Sequence, residues 1–413
     1  MPRPAVVYVS NFPAGDRIDE QAFQMRVPQT IPALAAFAAL GVFWGIWSAV
    51  LPAVSITLKI GDDVLGLALL CVAAGAMPAM LIAGRVTDRL GTSILAPAVA
   101  MFGIAAALPG LAQNGISLGL LLLILGATSG GLDVVMNAVS THLEAAYQTR
   151  ILHFAHATFS ATVLVCSILS GMARQIGVEY RIILFLGAAL ILVLALVVYL
   201  TISPLPPSHE HTGSATPIRA GRGLLRWVLI LGGLCGLAYL VENGLQLWSA
   251  QQLERNLYAS PAIAGFGPGL LAGASAVGRL IGHRIGARIG DRMLLVVAGI
   301  AAAAASFVFA NAPTWEVGLV AIAVAGAAIS IAAPSLFSIA GRQAPAAIRG
   351  TFVSNVATFA YTGFLIGPAL LGITAHAIGL RGAITVIGSI AVILAIASIV
   401  VLPRHEKAAE SVG

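Results

Sequence analysis

Charged residues are scarce in this chain. Aspartate, glutamate, lysine and arginine make up 9% of its 413 residues, where an ordinary soluble protein carries about 25%. Apolar residues make up 59%, and the mean hydropathy is +0.97. A water-soluble fold cannot hide that much apolar surface, so lipid must be the solvent for much of the chain. Basic residues outnumber acidic ones, for a formal charge of +6. They come singly in short loops instead of forming a patch, which argues against a nucleic-acid partner.

Cysteine is sparser still. Cys71, Cys166 and Cys235 each fall inside an apolar run, far from any metal-ligand spacing, and read as small buried hydrophobes with no disulfide or metal role. No phosphate-cradling P-loop, zinc motif or nucleophile elbow is present, so neither an enzyme, an ATP-driven machine nor a cofactor is expected. The first 30 residues contain Asp16, Asp19 and Glu20 and no short apolar core with a cleavage site. A polar cytoplasmic tail is therefore expected there, not a secretory signal.

What the chain does have is twelve apolar runs, each close to the 20 residues a bilayer span needs. The first six cover roughly 31–53, 64–84, 92–112, 117–144, 152–173 and 181–202. The second six cover roughly 227–253, 261–282, 292–311, 316–340, 351–378 and 382–402. Between the sets, 203–226 holds Pro204, Pro206, Pro207, Gly213 and Pro217, the composition of a flexible linker. The expected organisation is a tail at 1–30, a six-helix bundle at 31–202, the linker, a second bundle at 227–402 and a tail at 403–413.

Two short stretches repeat between the halves. Gly84-Arg85-Val86-Thr87-Asp88-Arg89-Leu90-Gly91 and His283-Arg284-Ile285-Gly286-Ala287-Arg288-Ile289-Gly290 each follow the second run of their half. Both read as basic, glycine-bounded loops, and such duplication is commonest in membrane transporters. With the N-terminus inside, the cytoplasmic segments hold 17 of the 22 lysines and arginines, Arg279 among them. The outside holds Lys59, Arg174, Arg181, Arg255 and Arg381. That asymmetry places both termini in the cytoplasm.

Twelve runs, a 6+6 repeat, a central linker and the stretch from Gly84 to Gly91 together resemble the major facilitator superfamily. Gly131-Leu132-Asp133-Val134-Val135-Met136-Asn137, His156, Trp248-Ser249-Ala250 and Gly363-Phe364-Leu365-Ile366-Gly367-Pro368 are similar to a fucose-permease-like, mostly uncharacterised bacterial branch. The second copy of the loop carries His283 and Ala287 where that branch usually has acids. The resemblance implies an all-α membrane protein of twelve transmembrane helices in two pseudo-symmetric bundles. It implies a central cavity lined by the first, fourth, seventh and tenth spans, and sugar uptake as the default activity. It also implies gating by Gly84, Arg85, Asp88, Arg89 and Gly91, through contacts made in one access state and broken in the other. A topogenic basic loop is the plainer alternative.

A few polar residues stand inside the runs. An ionised carboxylate at the bilayer centre costs about 2.5–3.5 kcal/mol, so such a residue usually faces a cavity and serves a function. Asp133, with Asn137 one turn on, is suited to carry a coupling proton; a structural carboxylate bonded to a neighbouring helix is the alternative. Glu242, Asn243 and Gln246 form a second cluster suited to a hydroxyl-rich or amine-bearing solute, or else serve as interhelical polar glue. Glu242 is also a candidate for proton coupling. Trp44 and Asn355 are further candidates for substrate contact. Glu144 reads as a partner for a loop arginine, and His153 and His156 as packed histidines before a proton relay. No third ligand stands near that pair for a metal.

The sequence thus points to a secondary transporter in the inner membrane of a bacterium. It would work as a monomer whose partners are a small solute, protons and the bilayer. Proton-coupled symport is the leading expectation. Proton-antiport efflux, or a sensor or scaffold that moves nothing, is the alternative. Topology reporters fused at Gly413 and within 206–221 should both give cytoplasmic signals, and a periplasmic signal from either contradicts the reading.

Overall fold

Inside a bilayer every backbone donor and acceptor must be satisfied within the chain, which leaves helices as the way to bury runs of this length. A computed structural model describes the backbone of residues 20–203, 205, 222–344 and 349–402, and their side chains from Thr30 onward except 222–223, His283 and Leu365. The described residues are helical almost throughout. In chain order the spans are α1 (Glu20–Leu58), α2 (Asp62–Leu90), α3 (91–111), α4 (Gly115–Tyr147), α5 (Leu152–Gln175) and α6 (Tyr180–Thr201). The second half contributes α7 (Arg222–Asn256), α8 (Pro261–Ile289), α9 (Asp291–Ala310), α10 (Trp315–Gln343), α11 (349–378) and α12 (380–401). Ten continuous helices are long and apolar enough to cross a membrane. Asp62–Leu111 breaks at Gly91 and Arg349–Val401 at Gly379, which makes twelve spans.

Most helices outrun their apolar cores. α2 continues from 84 to Leu90, α8 from 282 to Ile289, and α7 starts at Arg222. The stretches expected as loops are therefore the last turns of α2 and α8. Of the first copy only Gly91 leaves the helix, and of the second only Gly290. Hydropathy measures the thickness of hydrocarbon, whereas a helix continues into the headgroup region, where arginine stems reach out to water. Of the expected tail at 1–30, residues 1–19 lie outside the described residues, while 20–30 already belong to α1. Most of the expected linker at 203–226 and the tail at 403–413 also lie outside them, and 222–226 belong to α7. The linker's first residues are pinned to α3: Thr92 Oγ1 donates to the Ser203 carbonyl and accepts from the Leu205 amide, both at 2.9 Å.

The duplication is written into the backbone. Lys59 and Tyr258, 199 residues apart, both adopt φ 52° at the turn between the first and second spans of their halves. Gly91 (62°) and Gly290 (79°) are again 199 apart, and Gly177 (84°) and Gly379 (78°) are 202 apart. Packing repeats as well. A Cβ on Gly126 of α4 would lie 1.9 Å from the Val72 carbonyl oxygen of α2, and one on Gly326 of α10 would lie 2.6 Å from that of Leu271 on α8.

Arginine-rich turns mark one face of the molecule, called here the basic face. The halves meet at the opposite face. There Arg174 of α5 grips Glu254 of α7 with two bonds of 2.5 and 3.0 Å and donates a third to the Ala49 carbonyl of α1 at 2.8 Å. That pair is nearly buried, at 7% and 12% exposure. Arg255 pairs with Asp62 at 2.5 Å, His376 lies 3.4 Å from Asp63, and Gln251 donates to Ser55 at 3.0 Å. Backbones touch between these links. A Cβ on Gly66 of α2 would sit 2.8 Å from the Gly372 Cα of α11, and one on Gly171 of α5 would sit 2.9 Å from the Gly265 Cα of α8. Arg174 and Arg255, expected simply as outer-loop cations, are thus part of the seam between the halves.

Within the second half, α7 and α11 pack closest at Gly236 and Gly363, where a Cβ on Gly363 would lie 1.9 Å from the Gly236 carbonyl oxygen. Gly363→Ala should force these helices apart and lower stability by about 1–3 kcal/mol, the usual cost of overpacking. Gly341→Ala, where a Cβ meets nothing within 4 Å, should leave it unchanged. Thermal unfolding of the purified variants checks the contrast.

Candidate functional site

A polar cluster lies at mid-depth, and it draws on both halves. Asp133 stands on the fifth turn of α4. Both of its carboxylate oxygens are engaged: Asn137, one turn on, donates to Oδ1 at 3.2 Å and to the Asp133 carbonyl at 2.8 Å, and the Tyr361 hydroxyl of α11 donates to Oδ2 at 3.0 Å. Asp133 and Asn137 thus share one face of α4. Tyr361 crosses from the other half, and it does so well below the seam. It lies 15 residues before His376 on α11, about 22 Å along the helix at 1.5 Å per residue.

Tyr361 is held in turn by aromatic neighbours. Its ring, that of Tyr239 on α7 and that of Phe364 form a triangle with centroid separations of 6.3, 6.4 and 6.2 Å and mostly edge-on geometry, the arrangement that aromatic quadrupoles favour. One turn past Tyr239, Glu242 accepts from Arg279 of α8 at 2.9 Å. Arg279 therefore belongs inside α8 and not among the basic loops where the sequence count placed it. Its side chain is 38% exposed and that of Glu242 17%. Arg279 also acts electrostatically on His156 of α5, whose ring stands edge-on to Phe37 of α1 at 4.9 Å. Asp133, Tyr361, Tyr239, Glu242, Arg279 and His156 thus form one electrostatically connected group over five helices. With both acids ionised, its formal charge is one negative.

The other candidates distribute unevenly. Asn243 donates to the Phe364 carbonyl at 2.8 Å and Gln246 to the Pro268 carbonyl at 3.1 Å, so each amide ties α7 to a neighbouring helix. Trp44 is half-buried and edge-on to Phe43 at 5.3 Å, while Trp47 is fully buried and stacks on Phe43 at 5.9 Å. Asn355 is half-buried on α11, nearly two turns before Tyr361. Gly84, Arg85, Asp88 and Arg89 occupy the last two turns of α2. Gly91 closes that helix, its amide donating to the Thr87 carbonyl. They stand at the basic face, apart from the central cluster. The side chain of His283, in the second copy, lies outside the described residues. Glu144 finds the backbone instead of a loop arginine: its Oε1 accepts from the Ile151 and Leu152 amides at 2.5 and 2.9 Å and caps α5, which satisfies donors a helix start leaves open. Among the described residues no three His, Cys, Asp or Glu side chains gather as a metal site would require.

Sequence reasoning missed Arg279 as the partner of Glu242 and gave Tyr361 no role. A signal existed for the first. An arginine and a glutamate inside consecutive apolar runs each need a partner, and the next helix is the nearest place to find one. For Tyr361 there was none, because its partner lies 228 residues away.

The comparisons with known proteins agree with this architecture. The sequence model of the Major Facilitator Superfamily matches residues 232–412. An uncharacterised MFS-type transporter of Yersinia pestis is 27% identical over 364 residues, covering 87% of this chain and 92% of the relative. Membrane protein MosC of Rhizobium meliloti is 28% identical over 382 residues, covering 92% and 91%. Among solved structures, the nucleoside transporter NupG superimposes with a TM-score of 0.73 at 15% identity, over 91% of this chain and 98% of that one. A bacterial homologue of the human lysosomal transporter Spinster, in an inward-facing and occupied conformation, does so at 0.70 and 16%, over 91% and 96%. In its twelve-span duplicated fold and its similarity over most of its length to such transporters, this multi-pass membrane protein resembles the major facilitator superfamily.

Proposed function

We propose that the protein is a proton-coupled secondary transporter of a small polar solute in a bacterial inner membrane, with the basic face and both termini in the cytoplasm. The observation that carries this reading is Asp133. It is a carboxylate at mid-depth, far from the ends of α4, with both oxygens hydrogen-bonded and one of those bonds reaching into the other half. Holding an ionisable group there is costly, and groups so placed usually serve a function. Access alternates as the 31–202 bundle rocks against the 227–402 bundle around the central cluster. Close packing at the face opposite the basic one supports a state sealed from the outside, with Arg174–Glu254 as the main latch.

In this scheme Asp133 takes and gives the coupling proton. Glu242, oriented by Arg279, contacts the solute, with Asn137, Trp44 and Asn355 as further contacts. Asn243 and Gln246 act chiefly by fixing the line of α7, each with its amide oxygen left for the solute. Glu242 is the second candidate for proton coupling. Gly84, Arg85, Asp88, Arg89 and Gly91 form the gating end of α2. Symport of a sugar or similar metabolite fits a cluster whose formal charge becomes zero when one proton is added.

Reconstituted protein, screened for uptake of sugars, nucleosides and amines into liposomes under an inward proton gradient, tests the function. Accumulation that needs the gradient supports it, and gradient-independent or absent flux of every solute contradicts it. Asp133→Asn should abolish gradient-driven accumulation while keeping solute exchange, since exchange needs no deprotonation. Glu242→Gln should raise the half-saturation concentration about tenfold, equivalent to about 1.4 kcal/mol of binding.

The latch can be tested without a solute. Removing one partner of a buried ion pair costs about 3–5 kcal/mol. In protein whose native cysteines are replaced, Glu254→Gln should speed labelling of a cysteine at Ser55 by an impermeant maleimide severalfold. Unchanged labelling would show that Arg174–Glu254 does not hold the seam.

A further inference from the structure

Among the described residues, Tyr361 is the one seen to bond the second half to the proposed proton site, and its position suggests a specific task. We propose that Tyr361 is a positioning residue that passes the protonation state of Asp133 to the second half, and so sets which face of the transporter is open. The proposal rests on the proton-coupled reading above.

The argument begins with the bond itself. Tyr361 donates its hydroxyl proton to Asp133 Oδ2 at 3.0 Å, and the two residues are 228 apart in sequence. A hydrogen bond to an ionised carboxylate is roughly twice as strong as one between neutral groups. When Asp133 gains a proton its oxygens become weaker acceptors, and this tie between halves loosens. No second partner of the Tyr361 hydroxyl is seen among the described residues, so nothing there takes over its hydrogen bond.

The pull is transmitted because Tyr361 stands on a stiff pair of helices. Two residues on, Gly363 lies backbone to backbone against Gly236 of α7, and Gly367 packs, less tightly, on the Leu240 backbone. Asn243 bonds the Phe364 carbonyl across the same pair. The Tyr361 ring is wedged against Tyr239 and Phe364. A force on its hydroxyl therefore moves α7 and α11 together instead of merely rotating a side chain.

Other groups act on this region and must be separated from Asp133. They are Cys235 and Glu242 on α7, Arg279 on α8, and His153 and His156 on α5. Arg85 and Asp88 stand at the distant basic end of α2. Glu242 and Arg279 neutralise one another, and neither bonds Tyr361. Linkage then requires that conformation and protonation bias each other equally. The ionised carboxylate favours the state described here, with the seam closed opposite the basic face, and its protonation favours release.

The test needs no solute. Ala145→Cys and Gly350→Cys put spin labels on the ends of α4 and α11 at the basic face. Both residues are exposed, and a Cβ at Gly350 meets nothing within 4 Å. In protein lacking native cysteines, the distance between labels is measured from pH 5 to pH 9. The parent should shift toward the longer distance as pH rises. Asp133→Asn should show a single distribution at all pH values. Tyr361→Phe, which keeps the ring and its packing, should lose at least three quarters of the parent's pH response while unfolding at a similar temperature. A Tyr361→Phe protein with the parent's amplitude and midpoint, beside a flat Asp133→Asn, overturns the role of Tyr361 alone. A pH response that survives in Asp133→Asn removes the proton assignment of Asp133, and this proposal with it.

Discussion

Every charge held within the bilayer has to be answered by another group, and that requirement organises the structure from the centre outward. Asp133 is met by Asn137 and Tyr361, Glu242 by Arg279, and Glu254 by Arg174. Each of these interactions except that of Asn137 joins two different helices, and two of them join the two halves. Because the charges are so few, each has an outsized effect on which helices sit together. The apolar residues supply the bulk of the burial, but they are interchangeable in a way that these pairs are not.

The glycines supply the second constraint. Lipid tails offer helices little reason to prefer one another, so close backbone approach and polar contact have to provide it. Gly126 against Val72, Gly326 against Leu271 and Gly363 against Gly236 are contacts a methyl group would block. The first two stand at matching places in the two halves, as do the left-handed turns at Lys59 and Tyr258. The polar residues do not recur. Asp133 lies on the fourth span of the first half, while Glu242 lies on the first span of the second. Duplication has thus preserved the scaffold, and the site has been built asymmetrically on it.

Much of this could be read from the sequence, and the division has a physical basis. Span number, the duplicated stretch and the resemblance to the superfamily rest on composition and short-range pattern, which a chain displays openly. Asp133 and Glu242 stood out because ionisable residues are conspicuous in apolar runs. What stayed hidden was pairing. Arg279 lay close to the end of its apolar run and so was counted with the loop arginines, although α8 carries on for ten more residues. Glu144 was given an arginine partner because charges suggest charges, whereas the open amides at the start of α5 were nearer. Tyr361 could not be joined to Asp133, since nothing local records a contact between halves. The ends of α2 and α8 were read as loops for the same reason that helices were drawn too short: hydropathy stops at the edge of the hydrocarbon.

The backbone contacts at the seam carry a consequence for speed. Where Gly66 meets Gly372 and Gly171 meets Gly265, no side chain interlocks with another. Parting the halves there asks no buried rotamer to flip and leaves no knob to be drawn from a hole. Little friction arises where backbone meets backbone, which leaves resistance to parting with the ionic contacts alongside and with the few side chains that do cross, such as Leu164 against Gly269. A surface of this kind can be opened and remade many times without wandering from its register, because glycine against glycine offers few alternative ways to fit.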